Sequence, residues 1–338
     1  MYHKIFKSIK TVRNIFISLS LISRFFMIIM VENMKESKYI WLDGKFVPWS
    51  EAKIHVLTHA LHYGTGVFEG IRAYETVSGK TAIFRGKDHV KRLLHSSKIY
   101  RMDIGYTSDQ ILEIIKETVK INELKECYIR PLVFRGYKQL GVDPTEVPVS
   151  FMVAAWEWGA YLGKSALENG IKLKTSTWRR IPPQSLPLEA KATGQYLNSA
   201  LAKIEAKEVG FDEALMLDYR GVVSEGTGEN IFIVRDDEIL TPPLYSSVLP
   251  GITRKTVIKL ATDLGYKVTE SEITLADVYM ADEVFLTGTA AEITPVINVD
   301  GIIIGSGRPG EITRKLQAIY FDVVRGKRKE YEMWLDYI

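Results

Sequence analysis

Short apolar runs rich in β-forming residues alternate with segments of helical periodicity along most of the chain. In the first half, the turn pair Asp43-Gly44 joins two apolar runs and predicts a hairpin. Apolar residues recur at helical spacing in the segments that begin at Lys87 and Ser108. Two largely apolar runs, "CYIRPLVFRGY" and "VSFMVAAWEW", predict buried strands, and the second half alternates strands with helices. This pattern predicts an α/β chain with mixed α+β character.

The length of 338 residues is sufficient for about two domains, each with its own core. We predict a small α+β domain over residues 38–155 and a larger α/β domain over 169–338. Between them, residues 156–168 show no clear periodicity and are predicted to be an interdomain loop. Residues 1–37 are predicted to be an extension outside both domains.

The amino-terminal segment is basic at first and then apolar, with the run "NIFISLSLISRFFMIIMV". A signal or anchor sequence has this character, but Arg24 interrupts the run and no small-residue cleavage site follows. An organellar presequence and a translation start at Met30 or Met34 are further open interpretations. Because the remainder has the pattern of a soluble protein, we expect a cytoplasmic location, or import into an organelle if the segment is a presequence.

Charge and cysteine content exclude several functions. Residues 1–33 hold five of the 44 basic residues and one of the 41 acidic residues, so the rest is nearly balanced. A balanced body predicts no binding to nucleic acid. The single cysteine, Cys127, excludes an internal disulfide and a cysteine-based zinc cluster. His55, His59 and His62 have helical spacing, but their glycine-rich surroundings make a helix doubtful, and we predict no metal site.

Four motifs carry candidate chemistry. Lys191 lies among small neutral residues in "EAKATGQY", and a lysine nucleophile needs such a partly desolvated setting to be neutral. The motif "SEGTGENIFIV" places two glutamates ahead of an apolar strand. In "LPGITR" a turn leads into a helix at Ile252 and Thr253, whose free N–H groups favour a phosphate. The last motif, "LTGTAAEITPV", ends a strand with small residues whose amides can approach a ligand closely.

In this order, and with "HALHYGTGVFEGIRAY" and "YIRPLVF" ahead of them, these motifs resemble those of the branched-chain amino acid aminotransferases. That family comprises fold-type IV enzymes that use pyridoxal 5'-phosphate. The resemblance covers nearly all of residues 38–338 and implies a two-domain fold with the cofactor between the domains. It also implies transamination of leucine, isoleucine and valine with 2-oxoglutarate, which gives branched 2-oxo acids and glutamate.

The resemblance implies roles for the residues around the cofactor. Lys191 would carry the cofactor covalently, and its freed amine would remove the α-proton of the substrate. Glu225 would keep the pyridine nitrogen protonated. The other implied cofactor contacts are the hydroxyl of Tyr196 at the phenolic oxygen, Leu249 under the ring, Arg92 with the amides of Ile252 and Thr253 at the phosphate, and Thr289.

For the substrate, the resemblance implies an apolar pocket that also accepts glutamate. Arg130 would bind the γ-carboxylate, and the amides of Thr289 and Ala290 would bind the α-carboxylate. The loop "KQLGVDP" would reach the site of a neighbouring subunit, which implies a homodimer or a larger homo-oligomer. Thr193 and Gln195 depart from the family pattern and are expected to affect local packing only. The implied wall of the side-chain pocket consists of Tyr63, Phe68, Tyr128, Trp158 and Tyr161.

Two other functions remain open from the sequence. A D-amino acid aminotransferase or a 4-amino-4-deoxychorismate lyase of the same fold would share the lysine, the glutamate and the phosphate site. A cofactor-binding scaffold without catalysis is the more distant alternative, and the intact set of Lys191, Glu225 and Arg92 argues against it. The motifs "FEGIRAY", "YIRPLVF" and "GTAAEITP" favour the branched-chain group.

Overall fold

Two β-sheets with helices packed against them make up the fold. The structure is a computed structural model that describes residues 34–159 and 162–338. The predicted targeting segment therefore lies outside the described residues. In the described part of the chain, no helix combines the length and apolar character needed to cross a membrane.

The first sheet has eight strands, and every neighbouring pair is antiparallel. The predicted hairpin is confirmed: Asp43 and Gly44 have φ values of 45° and 93°, as a two-residue turn of this kind requires. In spatial order the strands are β17 (Leu335–Tyr337), β5 (Thr81–Phe84), β4 (Ile71–Glu75), β6 (Cys127–Arg135), β7 (Val149–Trp156), β1 (Tyr39–Leu42) and β2 (Lys45–Pro48), and β3 (Gly66–Phe68) also pairs with β6.

The second sheet has nine strands and is mixed, with parallel pairs next to antiparallel ones. One antiparallel pairing, between Glu225 of β10 and Asn230 of β11, joins two strands that are otherwise far apart in the sheet, so six strands form a closed ring. In spatial order the strands are β10 (Val223–Gly226), β9 (Glu213–Leu217), β8 (Ile171–Thr175), β15 (Glu292–Val299), β14 (Glu283–Gly288), β11 (Asn230–Arg235), β12 (Glu238–Thr241) and β13 (Val268–Glu270), and β16 (Ile302–Ile303) pairs with β15.

Amphipathic helices cover these sheets and bury their apolar faces against them. Leu93, Ile111 and Ile115 pack with the first sheet, and burying such a side chain contributes about 1.5–3 kcal/mol. A second core joins Tyr74 and Phe84 of the first sheet to helices that pack on the second sheet. The helices are α1 (His59–Tyr63), α2 (Gly86–Ile99), α3 (Ser108–Ile121), α4 (Lys164–Asn169), α5 (Tyr196–Glu208), α6 (Ile252–Asp263), α7 (Leu275–Tyr279) and α8 (Glu311–Val324).

Most predicted elements are confirmed, and the predicted α/β class with mixed α+β character is confirmed too. Two local expectations were wrong. Residues 156–168 are not a plain connector, because α4 begins at Lys164. The helix over His55–His62 that the sequence made doubtful exists only as the short α1, which ends at Gly64 in a left-handed conformation with φ of 64°.

The predicted domain boundaries at 155 and 169 separate the two sheets, but β17, at the end of the predicted larger domain, pairs with β5 of the first sheet. The division into two domains stays a prediction.

Candidate active site

Lys191 lies where the two sheets meet, and its backbone is fixed on both sides. Its N–H donates to Ser96 Oγ of α2 at 3.1 Å, and its carbonyl accepts from the N–H of Phe68 at 3.0 Å. The neighbouring Ala190 and Ala192 are buried, and Ala192 forms a β-bridge with Val67. Small neighbours let the backbone approach β3 closely. The lysine side chain therefore starts from a rigid position.

The amine of Lys191 is set among aromatic and charged groups. Its Nζ donates a hydrogen bond to the hydroxyl of Tyr196 and lies 4.8 Å from the ring centroids of both Phe68 and Tyr196. Burial and the positive charge of Arg92 lower the pKa of Lys191 to about 8. On the order of a tenth of this amine is therefore neutral near pH 7, far more than for a lysine of ordinary pKa, and the neutral form is the one that a nucleophile or a base requires.

Glu225 sits at the pairing that closes the ring of strands. Its carboxylate pairs with Arg180 at 2.6 Å and accepts from Asn230 Nδ2 at 3.0 Å and from the N–H of Leu249 at 3.1 Å. Burial raises the pKa of Glu225, and the charge of Arg180 opposes this effect. The side chain lines a cavity together with Arg180, Gln195, Tyr196, Thr227, Gly228, Glu229, Asn230 and Leu249.

Arg92 extends from α2 towards the start of α6. Its guanidinium donates to Glu69 from Nε at 2.6 Å and from Nη2 at 2.9 Å, and to the carbonyl of Pro250 from Nη1 at 3.1 Å. Burial would raise the pKa of Glu69, but Arg92 and the hydrogen bond from His89 hold it at about 2. A guanidinium has five N–H groups, so two remain for an anion. The first N–H groups of α6, at Ile252 and Thr253, have no acceptor within the helix.

Four of the predicted pocket residues are joined by direct contacts. We call them the substrate wall: Phe68, Tyr128, Arg130 and Trp158. The Arg130 guanidinium lies 4.6 Å from the ring centroid of Phe68 and donates to the hydroxyl of Tyr128 at 3.1 Å. The rings of Tyr128 and Trp158 meet edge to face at 4.6 Å, and Ala290 packs against the same group. The Nε atom of Arg130 is buried without a hydrogen-bond partner, and no carboxylate in residues 34–159 or 162–338 forms an ion pair with this arginine.

The other predicted pocket residues have different placements. Tyr63 is 45% exposed at the end of α1, where its ring contacts His59 and His62 and none of the rings of the substrate wall. Tyr161 lies outside the described residues. Thr289 and Ala290 are half-buried in the turn between β14 and β15. Their roles stay predictions.

Several residues of the site were not predicted from the sequence. Glu69, Arg180 and Asn230 each bind a predicted residue directly. Glu69 stands in the otherwise apolar "VFEGI", which was the available signal, because a lone carboxylate in a buried strand needs a cation. Nothing near Arg180 distinguishes it in the sequence. Thr193, expected to affect packing only, donates to the carbonyl of Gly64 at 2.9 Å.

A second carboxylate and a group of histidines were the other candidates in the sequence. Glu229 lies close to Glu213, and burial together with the charge of Glu213 raises the pKa of Glu229 to about 8. A carboxyl group of this kind is less suited than Glu225 to carry a permanent negative charge. Among the histidines, both ring nitrogens of His59 are engaged, at 2.7 Å from Thr65 Oγ1 and 2.8 Å from the carbonyl of Gly141. No group of three potential metal ligands occurs in the described part of the chain.

These residues fit the group that the resemblance implies. The N–H of Leu249 donates to the Glu225 carboxylate, and the carbonyl of the next residue, Pro250, accepts from the Arg92 guanidinium. A carboxylate that can stabilise a protonated ring nitrogen and a guanidinium that can bind a phosphate are therefore attached to the same short segment. The charge of Arg92 influences the pKa values of both Lys191 and Tyr196, and the charge of Glu225 influences the pKa of Tyr196. An aromatic phosphate ester with a carbonyl and a basic ring nitrogen suits this set of donors and acceptors. We call Lys191, Tyr196, Glu225, Arg92 and the start of α6 the cofactor end of the site.

Comparison with known proteins identifies the class of enzyme. The family model described as "Amino-transferase class IV" matches residues 66–299. The branched-chain-amino-acid aminotransferase of Escherichia coli (strain K12) is 46% identical over 305 residues, which cover 90% of this chain and 98% of that protein. The crystal structure of the T.th. branched-chain amino acid aminotransferase with pyridoxamine 5'-phosphate has a TM-score of 0.87 and 53% identity, with coverage of 90% and 99% of the two chains. The same enzyme complexed with N-(5'-phosphopyridoxyl)-L-glutamate gives a TM-score of 0.86 at 52% identity, covering 90% of this chain and 99% of that chain.

The chain belongs to the class IV aminotransferases. The predicted resemblance to the branched-chain group is confirmed by these identities, and the predicted fold-type IV architecture is confirmed by the TM-scores.

Proposed function

We propose that this protein transfers the amino group of leucine, isoleucine or valine to 2-oxoglutarate, with pyridoxal 5'-phosphate held at Lys191. The observation that carries the proposal is Arg130, which pairs with no carboxylate of the described residues and lies in an aromatic wall, in contact with the same Phe68 ring as the Lys191 amine. Such a wall suits apolar side chains, and its single cation suits a dicarboxylic acid.

Lys191 is the group that binds the cofactor covalently and moves the proton. Its lowered pKa provides the neutral amine, and the hydrogen bond to Tyr196 orients the amine in a fixed direction. A long side chain on a rigid backbone can remove a proton from the α-carbon and deliver it to a second nearby carbon. Pyridoxal phosphate, when bound, supplies the electron sink for the charge that proton removal leaves on the α-carbon.

The remaining cofactor-end residues hold the cofactor by charge complementarity. Glu225, itself held by Arg180 and Asn230, would bind the ring nitrogen and would keep a proton there. Arg92 and the N–H groups of Ile252 and Thr253 would bind the phosphate, and the helix dipole would add to the attraction. Leu249 would pack against the ring, the hydroxyl of Tyr196 would donate to the phenolic oxygen, and Thr289 would add a further contact.

One pocket then has to accept two kinds of side chain. The rings of Phe68, Tyr128 and Trp158 bury an aliphatic side chain, and Arg130 meets the γ-carboxylate of glutamate with a planar fork. The amides of Thr289 and Ala290 bind the α-carboxylate in both cases. The roles of Tyr63 and Tyr161 in this wall stay predictions.

A transamination assay with a panel of L- and D-amino acids and 2-oxoglutarate tests this proposal. We expect turnover of leucine, isoleucine and valine and none of their D-enantiomers. Turnover of D-amino acids alone would indicate the D-amino acid aminotransferase function instead. Release of pyruvate from 4-amino-4-deoxychorismate without transamination would indicate the lyase. The absence of an absorbance band of bound cofactor near the visible edge would indicate a scaffold.

Self-association is part of the proposal, and an exposed apolar surface supports it. Residues 54–63 and 137–142 are tied together by stacking of His55 on Tyr137 at 4.0 Å and by the contact of His59 with Gly141. We call these two segments the loop face. A second copy of this chain would cover it and would bring its own loop near the exposed ring of Tyr63. The exposed apolar side chains of the loop face are Ile54, Val56, Leu57, Leu61, Tyr63, Tyr137, Leu140 and Val142.

Sedimentation of a loop-face variant tests the assembly. Val142 is 84% exposed, so Val142→Asp should not disturb the fold of one chain but should dissociate a dimer. Val77→Asp is the matched control, because Val77 is 65% exposed in a turn away from the loop face. A wild-type monomer, or equal sedimentation of wild type and Val142→Asp, would contradict the role of the loop face. The expected cytoplasmic location stays a prediction.

A further inference from the structure

Arg72 is a buried arginine of β4 that takes part in none of the proposed catalytic steps. Its Nη1 pairs with Glu292 Oε1 at 2.9 Å, and its Nη2 donates to the carbonyls of Trp158 at 2.8 Å and Gly159 at 2.7 Å. Only 10% of its side chain is exposed. The two terminal nitrogens of one guanidinium therefore bind two different segments of the chain.

The first of these segments belongs to the substrate wall. Trp158 packs edge to face on Tyr128, and Tyr128 is the residue paired with Arg72 across the strands β4 and β6. The two carbonyls that Arg72 binds are consecutive and lie just after the end of β7. Fixing two consecutive carbonyls sets the direction in which the chain leaves the sheet and hence the position of the Trp158 ring.

The second segment carries the amides proposed for the α-carboxylate. Glu292 follows the turn of Thr289, Ala290 and Ala291 directly and has a φ of 55°, a left-handed conformation that is unfavourable for glutamate. Its carboxylate is held by Arg72 and by the hydroxyl of Tyr74 at 2.9 Å. Two contacts therefore hold the side chain of a residue whose backbone conformation is unfavourable and which directly follows the turn.

We propose that Arg72 and Glu292 are positioning residues that set the distance between the substrate wall and the Thr289–Ala290 amides. The inference rests on the proposed function, since it concerns the substrate's side chain and α-carboxylate. The substrate is bound at its side chain by the substrate wall and at its α-carboxylate by the Thr289 and Ala290 amides. A shift of either of these two parts of the site therefore weakens both contacts with the substrate. The ion pair has no contact with Lys191, Glu225 or Arg92, so cofactor attachment does not depend on it.

Steady-state kinetics of Arg72→Gln test this inference. We expect the KM for leucine and for 2-oxoglutarate to rise at least tenfold, with a much smaller change in kcat. Borohydride-trapped cofactor on Lys191 should stay at the wild-type amount. Arg72→Lys keeps the charge opposite Glu292 but loses the fork, so its KM should lie between those of the wild type and Arg72→Gln.

The chain offers a matched control at the other end of β15. Asp300 also has a φ of 55°, pairs with Lys174 at 2.7 Å and accepts from the hydroxyl of Tyr279 at 2.9 Å, but it lies outside the proposed site. Asp300→Asn removes a comparable ion pair and should leave every KM within twofold of wild type. Equal changes of KM in Arg72→Gln and Asp300→Asn, or a KM within twofold for Arg72→Gln, would overturn the inference.

Hydrogen exchange separates this inference from the proposed function. In Arg72→Gln the amides of residues 157–159 and 289–291 should exchange faster than in wild type, whatever the substrate is. Wild-type protein without transaminase activity would refute the proposed function, and unchanged exchange in both segments would refute the positioning role. If Arg72→Gln does not fold, Arg72→Lys and Tyr74→Phe are measured in its place, and unchanged KM in both would count against the inference.

Discussion

The cofactor end and the substrate wall both contain half-buried cations, but among the residues that the structure describes only the cofactor end forms ion pairs. Arg180 meets Glu225, and Arg92 meets Glu69. Arg130 in the substrate wall is surrounded by aromatic rings and a hydroxyl, and its buried Nε has no hydrogen-bond partner among the described residues. The ionic charges of Arg92 and Glu225 are therefore neutralised before a ligand binds, whereas the charge of Arg130 is left for a ligand to pair.

The difference follows from what each region has to bind. A cofactor that stays bound can bind to side chains whose charges are already neutralised by ion pairs within the protein. Its own charges then add to a network that is stable without it. A pocket that takes leucine and glutamate in turn must keep one cation available and must tolerate it when leucine is bound. The rings of Phe68 and Tyr128 make this possible, since their faces attract a cation without occupying its N–H groups.

The largest effect on turnover is expected from loss of Lys191, because no other residue of the cofactor end can take over its role. Lys191→Ala should reduce turnover by at least about 10⁴-fold, because both the covalent link and the base are lost. Borohydride reduction and peptide mapping of the wild type should place the phosphopyridoxyl group on Lys191. Lys87→Ala, at an exposed position of α2, is the control and should behave as wild type. A label on another lysine would refute the assignment.

Removing the charge of Glu225 tests whether the carboxylate that pairs with Arg180 is also needed for catalysis. Glu225→Gln should bind the cofactor yet slow removal of the α-proton by about 10²–10³-fold, because the ring nitrogen loses its counter-charge. The rate is measured in single turnovers with α-deuterated leucine. Glu229→Gln is the control in the same cavity and should have a small effect. If instead Glu229→Gln were inactive and Glu225→Gln normal, the carboxylate would have been misassigned.

Arg130→Ala examines the substrate wall by itself. Use of glutamate and 2-oxoglutarate should weaken by about 2–4 kcal/mol, the range for loss of one partner from a charge-assisted pair. Leucine needs only apolar burial, and its half-reaction should change far less. Each half-reaction is followed separately by single-turnover kinetics. Equal losses for the two substrates would mean that Arg130 supports the fold or the α-carboxylate instead.

The smallest effect is expected from pH. Because the pKa of Lys191 is lowered to about 8, its neutral fraction should rise about tenfold per pH unit below that value and level off above it. The rate of cofactor attachment to the apo-protein, followed by absorbance, should show this midpoint. Arg92→Gln removes a neighbouring positive charge and should move the midpoint upwards. A wild-type midpoint near the ordinary lysine value would contradict the electrostatic influence of the cofactor end.

The sequence was a good guide to local structure. The hairpin at Asp43-Gly44 and the long helices α2, α3, α6 and α8 follow from turn chemistry and periodicity, which act over a few residues. It failed at α4, where six residues are too few for a clear period, and at β17, whose partner β5 lies about 250 residues earlier. Pairing at that distance leaves no local signal.

For the site, the sequence by itself determined which side chains are available: the isolated Lys191, the glutamates of "SEGTGEN" and the helix start at Ile252. The tertiary structure alone decided which charges are neutralised. Arg180 reaches Glu225, and Glu69 reaches Arg92, only because the chain brings separate segments into contact. Closure of the strand ring at Glu225 and Asn230 is likewise a consequence of the whole second sheet. The physical reason is that ion pairing and desolvation depend on distances in space, and residues 23 or 45 positions apart carry no mark of those distances in the sequence.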